Sequence, residues 1–182
     1  MLAFGIVCAV LEARASGKGQ VVDAAVLDGA ALLTSIVCEL RALGLWRDQR
    51  QTNLLDGGSH FYDTYECADG RWISIGSLEP QFYTLLLQKL GLDKDPEFAR
   101  QRDPAAWPAL KARLAALFRA QPAAHWCALF ENTDVCFAPV LTTTEAAAHP
   151  HNVARANFFE SEGVVQPSPA PRFSRTPAAR PG

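Results

Sequence analysis

The dipeptide Asp69-Gly70 stands between two short segments, Phe61–Glu66 and Arg71–Ile75, that are rich in aromatic and β-branched residues. Such a dipeptide closes a tight turn with positive φ, so the flanking segments are predicted to fold back on each other as a hairpin. The surrounding stretch reads LLDGGSHFYDTYECADGRWISIGSLEPQFY over residues 54–83. A loop bearing Gly57 and Gly58 leads into the hairpin, and Glu79 followed by Pro80 leads out of it. Proline suits the first position of a helix, where its missing N–H costs nothing, and this makes Glu79 the predicted N-cap. A carboxylate there is expected to receive backbone N–H bonds and to face the positive end of the helix dipole. The pattern sets a fixed negative charge beside a glycine-rich loop.

The remaining chain divides by composition and punctuation. Residues 1–45 are rich in Ala and Leu and predict a helix to about Ala15, an extended Gln20–Val22, and a second helix from about Ala25 to Leu43. Leu33, Ile36, Val37 and Leu40 recur at helical spacing on that second helix, which reads as a connector packed on something larger. Residues 46–60 are polar and glycine-bearing, which suits a linker or binding loop. Residues 61–150 read as a small α+β domain, the hairpin first and helices after it. Its first helix, Pro80–Leu90, carries Phe82, Leu86 and Leu90 and stops at Gly91. Asp103-Pro104 and Pro122 predict two further helix starts, with apolar stripes through Trp107, Leu110, Leu114, Leu117 and Phe118 and through Trp126, Leu129 and Phe130. Val135–Val140 reads as a buried strand, and Thr142 with Glu145 has capping-box spacing. Residues 151–182 are proline-rich and predict an extended return segment without a helix.

Composition excludes several function classes. A net charge of −2 provides no clustered basic surface, so a nucleic-acid partner is not expected. Five cysteines, Cys8, Cys38, Cys67, Cys127 and Cys136, are odd in number and contain no CxxC pair, which argues against a disulfide framework or a zinc site and favours the reducing cytoplasm. His149 and His151 flank Pro150, a turn signal, and no metal is expected there. The apolar run LAFGIVCAVL near the N-terminus lacks a basic flank and falls short of the roughly 20 residues that span a bilayer. It reads as a packed helix, so no membrane segment is expected.

The 54–83 stretch resembles the α-methylacyl-CoA racemase branch of the family III CoA-transferases, also called CaiB/BaiF proteins. The likeness continues through Leu2–Gly29, through DVCFAPVLTTTEA at 134–146 and through APRFSRTP at 170–177. The ordered blocks LDGG, FYDTY, ADG and EPQFY carry it most specifically, because related transferases share the DG hairpin and usually lack EPQFY. The resemblance implies the helical remnant of a large α/β domain followed by a small α+β domain, and chemistry on acyl-CoA thioesters. Coenzyme A then belongs to the substrate, with no separate cofactor, and an interlocked homodimer is implied. The family's acid/base histidine and aspartate lie upstream of the region matched here and have no counterpart in this sequence. The chain therefore reads as a C-terminal fragment, expected to be inactive alone.

In the resembled racemases a base removes the proton α to the thioester, and an acid returns one from either face. By resemblance Glu79 supports that reaction by pairing with the histidine, setting its tautomer and charge. The competing reading of Glu79 is a plain helix cap. Tyr62 is implied to lie near the thioester, its alternative being a half-buried strand tyrosine, while Gly57 and Gly58 are read as letting backbone approach another chain or a ligand closely, their alternative being a plain turn. His60 and Asp63, three apart, are expected on opposite faces and so form no dyad. A CoA-transferase moving CoA between an acyl-CoA and a carboxylate, or a non-catalytic dimerisation module, are the other readings.

Overall fold

Helices fill the first part of the chain. The computed structural model describes residues 1–180, and two units emerge, Met1–Asp56 and the part from Gly57 onward. In the first, helix α1 (Leu2–Ser16) ends at Gly17, whose φ of 75° is the left-handed conformation that closes a helix cheaply only for glycine. Gln20–Val22 forms no strand. The second expected helix is two: α2 (Val26–Leu33) and α3 (Ser35–Ala42) are separated at Thr34. Its Oγ1 donates to the Ala31 carbonyl at 2.9 Å, a local bond that competes with the helical ladder. No residue of these three helices is buried, and the stripe anticipated on α3 leaves Ile36 59% exposed. The following loop is knotted by buried Asn53, which accepts from Arg47 N at 2.7 Å and donates to Arg47 O and to Asp56 Oδ2.

The second unit is built on the hairpin. Strand β1 (Tyr62–Glu66) pairs antiparallel with β2 (Trp72–Gly76), which pairs with the short β3 (Phe137–Pro139). Gly70 takes φ 73° in the turn and donates to Cys67 O at 3.0 Å. Alternation along the pleat puts Tyr65, Ile73 and Ile75 into the core and leaves Thr64 and Trp72 outside. Strand β3 is shorter than the Val135–Val140 expected, because Cys136 turns to φ 58° and interrupts the extended backbone.

Helix α4 (Pro80–Leu90) has the predicted bounds and stops at Gly91 with φ 68°. Its buried face is Tyr83, Leu86 and Leu87, whereas Phe82 and Leu90 lie only at the margin. Helix α5 (Trp107–Phe118) starts later than Asp103-Pro104 suggests. Asp103 Oδ1 accepts from Ala105 N and its carbonyl from Ala106 N, closing a separate turn, while Pro108 occupies the first turn of the helix proper. Trp107, Leu110, Leu114 and Phe118 face the core, joined by Trp126 and Phe130 of α6 (Ala123–Phe130) and by Phe98 from a single 3₁₀ turn, Pro96–Ala99.

Helix α7 (Thr143–Ala148) has the full capping box: Thr142 Oγ1 accepts from Glu145 N, and Glu145 Oε2 accepts from Thr142 N at 2.9 Å. Arg71 adds an ion pair to the same glutamate. Thr142→Ala is expected to weaken α7 by about 1 kcal/mol, seen as roughly fivefold faster amide exchange at Ala146–Ala148 with the sheet unaffected.

The proline-rich end departs from expectation. A short helix α8 (Pro150–Ala154) follows His149, whose Nδ1 accepts from His151 N, because Pro150 itself takes the first helical position. A hairpin then forms, β4 (Phe158–Ser161) with β5 (Val164–Pro167), turning through Glu162 and Gly163, both at positive φ. Arg172 ties the chain after it to Ala156 O and Asn157 Oδ1, each at 3.0 Å. Among the described residues no helix is long and apolar enough to cross a membrane.

Candidate functional site

Tyr62 opens β1 and lies opposite Gly76, the last residue of β2, so both stand at the end of the hairpin away from the Asp69-Gly70 turn. The ring of Tyr62 covers Gly76: a Cβ there would meet Cε2 at 3.5 Å and the Cys136 carbonyl at 3.7 Å. Tyr62 is 40% exposed, a partly covered aromatic at a strand end, which both of its readings allow. Gly57, at φ +85°, lies against the neighbouring Asp63, whose Oδ1 would stand 3.6 Å from a Cβ. Gly58 is buried beside it. The glycine loop and Tyr62 thus share one edge of the unit.

Glu79 follows the other strand at the same end. It is the N-cap of α4 in extended conformation (φ −78°, ψ 146°), as Pro80 at the first helical position demands. Its carboxylate, however, accepts no cap hydrogen bond and is exposed, which corrects the expectation that the backbone N–H groups would engage it. The Cys136 thiol, though exposed, is raised chiefly by partial desolvation and then by the nearby Glu79 and Asp134 carboxylates.

The backbone that presents Glu79 is rigidly held. Gly76 N donates to Cys136 O at 2.8 Å and Ser77 N to Phe61 O at 3.0 Å. The buried Ser77 hydroxyl donates to Val135 O at 2.6 Å. Gln101 Nε2 donates to both Ser77 O and Leu78 O, and Arg102 to Leu78 O at 2.8 Å. A free carboxylate on a fixed stem can serve a donor from outside, since no intramolecular cap bond competes for it.

His60, weighed in the sequence only as half of an unsupported dyad, is fully buried. Tyr83 Oη donates to Phe98 O at 2.9 Å, so it must accept from His60 Nε2–H at 2.7 Å, which assigns the tautomer. Nδ1 is then a buried lone pair with no donor. The rings of Phe61, Tyr83 and Phe98 surround the imidazole edge-on, and burial pulls its pKa down to about 4. Asp63 pairs instead with Lys111, so the two residues share no bond and the dyad is absent as expected. His60 is a structural pin between the glycine loop and α4.

Residues 1–181 match the family model of CoA-transferase family III. The chain belongs to CoA-transferase family III. It is 45% identical over 179 residues to α-methylacyl-CoA racemase of Mus musculus, covering 98% of this chain and 47% of that one. It is 29% identical over 188 residues to acetyl-CoA:oxalate CoA-transferase of Acetobacter aceti, covering 98% of this chain and 47% of that one. Among solved structures it is similar to the protein Rv3272 of Mycobacterium tuberculosis, with a TM-score of 0.75 at 20% identity, over 98% of this chain and 48% of the other. The chain spans about half the length of the relatives it matches.

Two residues at this end of the sheet escaped the sequence reading. Lys111 pairs with Asp63 and donates to Gly57 O. Its signal was present, since it falls four residues after Trp107 and three before Leu114, on the apolar stripe of α5. Gln101 had no comparable signal, for its partners are carbonyls more than twenty residues away.

Proposed function

We propose that this chain supplies one side of an acyl-CoA site in an α-methylacyl-CoA racemase-like enzyme, which epimerises 2-methylacyl-CoA thioesters by removing and returning the α-proton. The observation that carries this reading is the 45% identity to the mouse racemase, found together with Gly57, Gly58, Tyr62 and Glu79 at one end of the sheet. Glu79 holds and charges a histidine that comes from elsewhere in the complete fold, and its uncapped carboxylate suits that task. Tyr62 presents an exposed ring toward the thioester, and the glycines admit the ligand close to backbone. The active form is a homodimer in the cytoplasm, with coenzyme A entering as part of the substrate. The exposed apolar faces of α1 to α3, including Phe4, Leu27 and Leu33, support packing against further polypeptide. The chain alone is inactive, because loss of one acid/base group commonly costs about 10²–10⁴ in rate and both are supplied elsewhere.

The 29% identity to the Acetobacter enzyme favours one second reading, transfer of CoA from an acyl-CoA to a carboxylate. A single assay separates the two. The chain is combined with the unaligned half of the mouse racemase and given a 2-methylacyl-CoA together with a second, free carboxylic acid in heavy water. Deuterium entering at C2, abolished by omitting either half and lowered about 10²–10⁴-fold by Glu79→Gln, is the expected result. Exchange of CoA between acids without deuterium uptake would replace the racemase reading with the transferase one.

A further inference from the structure

A lysine is costly to withdraw from water unless its charge is met. Lys111 is drawn in nonetheless, its side chain 27% exposed and that of its partner Asp63 19% exposed. The ammonium group pairs with the Asp63 carboxylate and also donates to the Gly57 carbonyl. Asp63 adjoins Tyr62 in β1 and accepts from Thr64 N at 2.8 Å. One cation therefore ties a helix, a strand and the left-handed glycine of the loop.

The same stretch of chain holds the opposite side of the site. Gln101 is 8% exposed and divides its amide N–H bonds between Ser77 O and Leu78 O, each at 3.2 Å. The Gln101 backbone carbonyl accepts from Trp107 Nε1 at 2.8 Å, which fastens the turn to the first turn of α5. Gly57 and Leu78, the backbone points that carry the glycine loop and the Glu79 helix start, are thus both moored to residues 101–111.

Resting on the acyl-CoA reading above, we propose that Lys111 and Gln101 are positioning residues that fix the glycine loop and the Glu79 carboxylate at a set separation on one rigid stretch. They touch neither substrate nor proton. Their effect on a reaction runs through Gly57 and Glu79.

Backbone ¹⁵N relaxation of the 182-residue chain tests this. The double variant Lys111→Met/Asp63→Asn leaves no unpaired charge, so it should fold. In it the Gly57 and Gly58 amides are expected to fall from the rigid range, about 0.85 in order parameter, to below about 0.6, while β2 and α4 stay rigid. Lys111→Arg keeps the loop rigid, and Gln101→Ala loosens Leu78 and Glu79 instead of Gly57. In the assembly with the racemase half, the double variant raises KM for the thioester roughly tenfold with a smaller change in kcat, and Lys111→Arg restores it. An unchanged loop order parameter in the double variant, accompanied only by a lower melting temperature, would overturn the proposal. A loosened loop without α-proton exchange in any assembly supports the brace and removes the racemase reading, so the two fail separately.

Discussion

Phe61→Ala is expected to lower the stability of the unit that begins at Gly57 by about 3–5 kcal/mol, the usual cost of emptying a buried phenylalanine site. The position is fully buried, with the rings of His60, Tyr83 and Trp107 at centroid separations of 5.1, 5.7 and 6.2 Å and the Arg102 guanidinium 5.8 Å away. These neighbours come from the glycine loop, α4, α5 and the turn before it, so the void cannot close without moving several elements that frame the site. The Phe61 carbonyl still accepts from Ser77 N, and the strand pairing itself persists. Urea unfolding of the full chain, followed by the near-ultraviolet dichroism of the aromatic cluster, measures the loss. A cost below 1 kcal/mol would mean that this cluster is not the core of the unit.

The second large effect is on acid stability. His60 has an ordinary pKa of 6.5 when unfolded and about 4 when folded, because burial among aromatic rings disfavours the imidazolium. Between those values the unfolded chain binds a proton that the folded chain refuses, so stability falls as pH falls through this window and is fully retained above it. A shift of that size corresponds to about 3 kcal/mol. The carboxyls of Asp95, Asp103 and Glu145 are lowered by arginine or backbone hydrogen bonds. Their contribution is lost below the ordinary carboxylate range, under the greater part of the His60 window. Stability measured between pH 7 and 5 should therefore decline in the parent chain and stay nearly flat in His60→Gln. Equal slopes in the two would show that another group drives the decline.

The elements legible in the sequence are those whose cause is local. Asp69-Gly70 specified the hairpin because only a residue at positive φ closes that turn, and Glu79-Pro80 with Gly91 bounded α4 for the same kind of reason. The capping box at Thr142 was equally explicit. What stayed hidden depends on distant partners or on residues with no turn preference. The β4–β5 hairpin turns on Glu162 at φ 52°, a conformation glutamate does not announce. The inward face of α4 was misjudged because Tyr83 reaches His60 and the Phe98 carbonyl, contacts that periodicity cannot reveal. At the site, the residue types were readable and their juxtaposition followed from hairpin register. The brace from Gln101 was unreadable, and the place of Lys111 on the apolar stripe of α5 announced an inward lysine without its partners, since each brace joins segments separated by more than twenty residues.

The most direct measurement of the central claim, that the strand end carrying Gly57, Gly58, Tyr62 and Glu79 faces an acyl-CoA, is hydrogen–deuterium exchange of the assembly with the racemase half, with and without a 2-methylacyl-CoA. The expected result is ligand-dependent protection confined to residues 57–62 and 76–79 within this chain. Protection only at the β4–β5 hairpin or on α6, with the 57–62 and 76–79 segments unchanged, would contradict it.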